Sequence, residues 1–376
     1  MDATALRGQV ASAPPAPTPA ATLVTAPELT LTGMADSNSP AVWELRQGVQ
    51  TLQIITSVDG QPSMATGRRL ARMGPADPVT FTSHPGDGVW MESVIVGEGG
   101  TWYGFYHNEV PATMCDNPIP PAGAASAGNS GRRRLVLRTL PRIGAARSRD
   151  GGETWEDLGI VLEAPPGLYN CATPNTYFVG GVGDVNVQLD HGSKDLYFFF
   201  SQYSALPSVQ GVAVARLAWA DRDEPSGKIQ VWVNGIWRSV AQSMSQADDG
   251  TLRTEWVYPA GSPLVPVTHP WHDADPNDDA FWGASVHWNT AIQQYVMLLN
   301  RTKDEYFNQE GIYVSFAPVL DDPTAWTVPQ KLLDGGAWYP QVIGTESGEG
   351  SDKQASARAR FFVGGRSSAF IDFALR

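Results

Sequence analysis

Three carboxylates stand near the openings of short apolar segments far apart in the chain. They are Asp36 in Asp36-Ser37-Asn38-Ser39-Pro40, Glu92 in Trp90-Met91-Glu92-Ser93-Val94, and Asp184 in Gly183-Asp184-Val185-Asn186-Val187. Singly, each would be a polar group that holds water or an ion. Brought together, carboxylates repel and push their pKa values apart, so that one keeps a proton as an acid while another serves as a base. Two more segments of the same kind, Trp282-Gly283-Ala284-Ser285-Val286-His287 and Trp338-Tyr339-Pro340-Gln341-Val342, carry Ser285, His287 and Gln341 in place of an acid. His107 and Glu109 close a strand-like run, Trp102 to Glu109, and could bind hydroxyl groups. Trp282 and Trp338 flank their segments and offer flat faces to a ligand. Arg147, Arg216 and Arg301 fall at comparable strand ends.

The elements that must position these residues read as strands. Apolar runs are short, alternating or continuous, and broken by Gly, Pro, Asn and Asp, which is the strand signal. Five such runs (Thr51–Ile55, Trp102–Tyr106, Asp195–Phe200, Gln294–Leu299 and Ala359–Val363) each follow another short strand. Third strands recur at Ile143–Ser148, Gln210–Arg216 and Glu310–Ser315, and fourth strands carry Trp155, Trp232 or Trp237, and Trp326. A four-stranded unit repeated along a chain is the signature of a propeller blade. The expectation is an all-β, five-bladed β-propeller over residues 28–376. Six blades is the alternative, because 216–270 contains further strand-like sequence. Inner strands are expected to start at 36, 92, 184, 284 and 341 and to converge on one mouth of a central channel. Asp36, Glu92, Asp184, Ser285, His287 and Gln341 then become neighbours.

Composition narrows the function. Twenty-six basic against 39 acidic residues give a net charge of −13, which argues against a nucleic-acid partner and against docking on an anionic membrane. No apolar run is long enough to span a bilayer. Residues 1–27, rich in Ala, Pro and Thr, read as a flexible linker. They show no signal peptide, and a leader of this composition fits a secreted or periplasmic protein. Cys115 and Cys171 are the only cysteines, either two buried thiols or one disulfide. No phosphate-binding loop, dinucleotide fingerprint, H-E-x-x-H or G-x-S-x-G motif occurs, so no cofactor is required.

Ser148-Arg149-Asp150-Gly151-Gly152-Glu153-Thr154-Trp155 matches the Asp-box, S-x-D-x-G-x-T-W, of sialidases and other propellers. It reads as a folding motif, with Asp150 holding a turn. The whole layout resembles the five-bladed glycoside hydrolases: the arabinanase and β-xylosidase family 43, the invertase-like enzymes and the anhydro-galactosidase family 117. The resemblance implies a carbohydrate substrate, a furanoside such as arabinan first among them. It implies Asp36 as general base of an inverting hydrolysis and Asp184 as the residue that tunes and aims the acid. The fourth blade lacks the Glu usual in families 43 and 32. Family 117 uses a His, so His287 or Glu92 is the expected acid. His107, Glu109, Trp282, Ser285, Trp338, Gln341 and Arg147 are expected to contact substrate, and no catalytic metal is expected. The alternatives are a non-catalytic carbohydrate-binding propeller, a sialidase-like enzyme, and a polysaccharide lyase with His107 as base.

Two loops stand apart. Residues 110–142, ending in Arg132-Arg133-Arg134-Leu135-Val136-Leu137-Arg138, read as a solvated insertion or as a lid whose arginines meet an acidic sugar. His272-Asp273-Ala274-Asp275-Pro276-Asn277-Asp278-Asp279 reads as a solvated acidic loop, or as a structural Ca²⁺ site.

Overall fold

The computed structural model describes residues 17–376 except 34, 84, 87, 116–137, 176, 193, 247–250 and 272–276. Among them there is no α-helix, only strands and four short 3₁₀ turns. Five sheets, antiparallel but for one short parallel pairing each in blades 2 and 4, form the five blades of a propeller. Blade 1 runs Ala41–Arg46, Val49–Val58, Gln61–Arg69, Arg72–Pro78 from the axis outward. Blade 2 runs Val89–Val96, Trp102–Pro111, Thr139–Ser148, Thr154–Leu162, with Thr80–Phe81 added at its rim. Blade 3 runs Val182–Leu189, Asp195–Gln202, Gly211–Ala218, Gln230–Val233, Ile236–Ser239. Blade 4 runs Phe281–Asn289, Gln294–Thr302, Gln309–Ala317, Gln330–Asp334.

Blade 5 corrects the linker reading. It runs Pro340–Gly344, Arg358–Val363, Arg366–Leu375, and its outermost strand is Pro19–Thr30, paired antiparallel with the C-terminal strand from Pro19↔Leu375 to Thr30↔Arg366. The last part of the stretch expected to be flexible, from Pro19 on, is therefore a strand that closes the ring. No sixth blade appears among the described residues. The sequence 216–270 supplies the outer strands of blade 3 and a separate hairpin, Ala241–Gln246 with Leu252–Val257. Trp326 precedes the fourth strand of blade 4 instead of lying within it.

The core lies between blades. Phe105, Phe198 and Ala213 pack where blades 2 and 3 meet, and Phe199, Val286 and Met297 where blades 3 and 4 meet. Near the axis, side chains on the first or second strand of one blade tie it to the next blade's backbone. Ser57 Oγ accepts from Met91 N, Ser93 Oγ from Val187 N, and Asn186 Oδ1 from Val286 N. In the turn of blade 2, Asp150 accepts from Ser148 Oγ at 2.8 Å and Thr154 N at 2.9 Å, while Trp155 is fully buried against Trp102. Asp150 thus lies in a rim turn. Cys115 and Cys171 form a disulfide across 56 positions. A cross-link closing such a loop stabilises by roughly 2–4 kcal/mol.

Candidate active site

The inner strands of three successive blades break register at equivalent places: between Met91 and Ser93, Gly183 and Asn186, and Trp282 and Ser285. A bulge inserts a residue and re-aims its side chain, and bulges gather at active sites. The inserted positions include Glu92 in blade 2, Asp184 in blade 3 and Gly283 in blade 4. Asp184 sits at φ 45° and Gly283 at φ 58°. Left-handed backbone is costly for most residues and tolerable for Asp. Phe307 and Tyr339, both at φ 58°, have no such excuse, and strain of this kind collects where a site demands a fixed geometry.

These bulges floor a cavity of about 230 Å³. Asp36, Asp59, Glu92, Glu109, Asp184 and His107 supply its polar lining. Trp90, Tyr177, Phe178, Trp282, Phe307, Trp338 and Tyr339 wall it. No Lys or Arg lines it among the described residues.

Asp36 enters from the segment before blade 1. Its Oδ1 accepts from Trp90 Nε1 at 2.8 Å and its Oδ2 from Asp59 N at 3.4 Å. Burial raises its pKa, and these two donors pull it part of the way back. Glu109, on the second strand of blade 2, accepts from Thr139 Oγ1 at 2.8 Å and keeps a side chain 23 % exposed. Burial raises its pKa too, opposed by His107.

Glu92 is enclosed, its side chain 1 % exposed. Its Oε2 accepts from Val185 N, while Oε1 has no hydrogen-bond partner among the described residues. Burial, and then Asp184, hold its pKa well above the usual carboxylate range. His107 connects the acids: Nδ1 lies 3.6 Å from Asp184 Oδ1 and 3.9 Å from Glu92 Oε1, and Nε2 lies 3.5 Å from Glu109 Oε1. Two influences compete on this ring. Burial and the Asp184 N–H directed at Nδ1 (3.0 Å) favour the neutral imidazole. The three carboxylates favour the charged one and win, pushing the pKa up to about 9. At neutral pH the amide contact is therefore the weaker claim on Nδ1. Tyr203 Oη donates to Asp184 Oδ2.

Glu92, His107 and Asp184 each offer one ligand atom, and these atoms lie within 4.8 Å of one another.

A test of Glu92's burial separates stability from chemistry. Its native pKa exceeds its unfolded one, so the protonated form is favoured on folding. Ionisation opposes folding increasingly as pH rises above the ordinary carboxylate range. Glu92→Gln keeps an oxygen for Val185 N and removes the ionisation. The melting temperature should rise by about 2–4 °C at pH 7.5 and by less at pH 4.5. Equal shifts at both pH values would assign the effect to packing.

Of the expected site residues, Asp36, Glu92, Asp184, His107, Glu109, Trp282 and Trp338 converge on the cavity. Four do not. His287 is 1 % exposed and packs against Phe373 of blade 5; burial first, then Lys353, lowers its pKa to about 3. The chain phase shifts at the Trp282/Ser285 bulge, which takes this strand's later residues away from the mouth. Ser285 Oγ donates to Pro340 O at 2.6 Å. Gln341 bonds both N and O of Ser39, joining blade 5 to the entry of blade 1. Arg147 faces outward and pairs with Glu156 and Asp223. Arg216 lies over Trp237, and Arg301 beside Phe281 and Tyr313. The arginines 132–134, and positions 272–276 of the acidic loop, lie outside the described residues. Asp279 of that loop accepts from Thr268 N and His269 N, and Asp278 from Ala280 N.

Tyr177, Phe178 and Phe307 were not legible as site residues, because they sit in loops without strand patterning. Asp59 follows a strand whose acid looks like an ordinary turn residue.

No family model and no curated protein matches this chain. Solved structures align with most of this chain at low identity. The endo-arabinase from Bacteroides thetaiotaomicron is 10 % identical, covering 93 % of this chain and 97 % of that one, with a TM-score of 0.44. The family 43 glycoside hydrolase YxiA from Bacillus licheniformis is 14 % identical (92 % and 72 %, TM-score 0.42). The exo-β-1,3-galactanase from Phanerochaete chrysosporium is 11 % identical (93 % and 64 %, TM-score 0.43).

Proposed function

We propose that the protein is a glycoside hydrolase acting on a plant, algal or microbial poly- or oligosaccharide. The observation that carries this reading is a pair of reachable carboxyl groups, Asp36 and Glu109, both with raised pKa, in one aromatic-walled cavity. Hydrolysis of a glycosidic bond needs a proton for the leaving oxygen and a carboxylate that activates water or attacks carbon. Asp36 is the base. Both its oxygens accept from an indole and a backbone N–H, donors that support an ionised group and cannot exchange roles with it. It takes a proton from water as that water attacks the anomeric carbon, the inverting course.

Glu109 is the proton donor. Of the two glutamates it is the more exposed, and an acid must touch the oxygen it protonates. Glu92, enclosed behind His107, is a positioning residue: with Asp184 it sets the charge on the ring that faces Glu109. Furanosides such as arabinan belong first in a substrate panel. The carbohydrate-binding alternative requires no turnover. The sialidase-like and lyase alternatives call for arginine or lysine to hold a sugar carboxylate, and the cavity's polar lining among the described residues is five carboxylates and His107.

The acid assignment is tested through leaving groups. Glu109→Gln should lose about 10²–10⁴-fold in kcat/KM on an alkyl or sugar leaving group. It should lose far less on a nitrophenyl leaving group, which departs without protonation. Equal losses on both would move the acid elsewhere, and Glu92→Gln assayed alongside would show whether it moved there.

A further inference from the structure

We infer that the cavity accepts one terminal ring of a neutral sugar chain, so that the enzyme trims from an end; this rests on the glycosidase reading above. Binding sites for drug-sized ligands measure about 300–1,000 Å³, and this cavity, at about 230 Å³, has room for something smaller. One flank is shut by an aromatic arch that joins three blades. Tyr177, from the entry to blade 3, meets Phe307 of blade 4 at 5.8 Å and Trp338 of blade 5 at 5.6 Å between ring centroids. Trp338 Nε1 in turn donates to Phe307 O at 2.8 Å. Beneath the arch Phe178 stacks on Tyr203 at 4.3 Å, the tyrosine that holds Asp184. A polymer threading past the acids would have to pass through these rings.

The arch is braced. Thr139 N donates to Tyr177 O and Val179 N to Thr139 O, at 3.0 and 3.1 Å. Asn175 Oδ1 accepts from both Tyr177 N and Phe178 N. The Cys115–Cys171 disulfide links the same loop to the end of blade 2's second strand, with Cys115 packed on Val179. Tyr177 itself is 41 % exposed, so its side chain can be trimmed without opening a core.

Neutral linear hexasaccharides of arabinose, galactose, mannose and glucose, labelled at the reducing end, are digested with the wild type, Tyr177→Phe and Tyr177→Ala, and with Asp36→Asn as control. The wild type should release single sugars and the matching pentasaccharide in the first turnovers, with no di-, tri- or tetrasaccharide among the initial products. Tyr177→Phe, which keeps the ring of the arch, should give the same ratio of internal to terminal cleavage whatever its rate. Tyr177→Ala should shift the ratio of internal to terminal cleavage by about tenfold or more. Di-, tri- or tetrasaccharides among the wild type's initial products would overturn the inference and leave the glycosidase reading standing. An unchanged product ratio in Tyr177→Ala would overturn the role of the arch. No release by the wild type from any substrate beyond the Asp36→Asn control would overturn both.

Discussion

Asp36→Asn is expected to lower kcat about 10²–10⁴-fold with little change in KM. The asparagine oxygen can still accept from Trp90 Nε1, so the side chain stays in place and the pocket keeps its shape. What disappears is the capacity to take a proton from water. Initial rates of reducing-sugar release at saturating and subsaturating substrate separate the two constants. A carbohydrate-binding propeller would give the same trace for both proteins. A drop in affinity with kcat intact would recast Asp36 as a ligand-binding group.

Deleting residues 1–30 is expected to abolish folding of the ring. The strand Pro19–Thr30 is the outer edge of blade 5, and Ala21 and Leu23 pack against the cluster that holds Ile371 and Phe373. Without it, the strand Arg366–Leu375 presents an unpaired edge, which invites association with other chains. Size-exclusion chromatography and a circular-dichroism melt should show aggregate and no cooperative transition. A monomer that melts like the intact chain would mean that the N-terminal strand decorates the blade without closing it.

The sequence reading failed at that strand for a physical reason. An edge strand needs no strict alternation and tolerates proline. Pro27 falls within the register shift between Thr25 and Leu29, where a missing N–H costs no ladder bond. The reading brought Asp36, Glu92 and Asp184 to one cavity, where they lie, because the repeated strand pattern tells which segments share an axis. It failed at His287 because strand parity cannot be counted across a bulge that is invisible in the sequence. Glu109 was seen as a sugar contact; its reach, as against the enclosure of Glu92, depends on packing that no spacing encodes.

The third bulge bears on redesign. Blade 4 repeats the backbone kink that aims acids in blades 2 and 3, yet it holds glycine. A Cβ at Gly283 would stand 2.8 Å from the Asn300 amide. Grafting a further acid there calls for two coordinated changes: a residue content with φ 58°, such as aspartate, and a smaller neighbour in place of Asn300. The scaffold thus contains a ready socket for altering its own chemistry, kept shut by one amide.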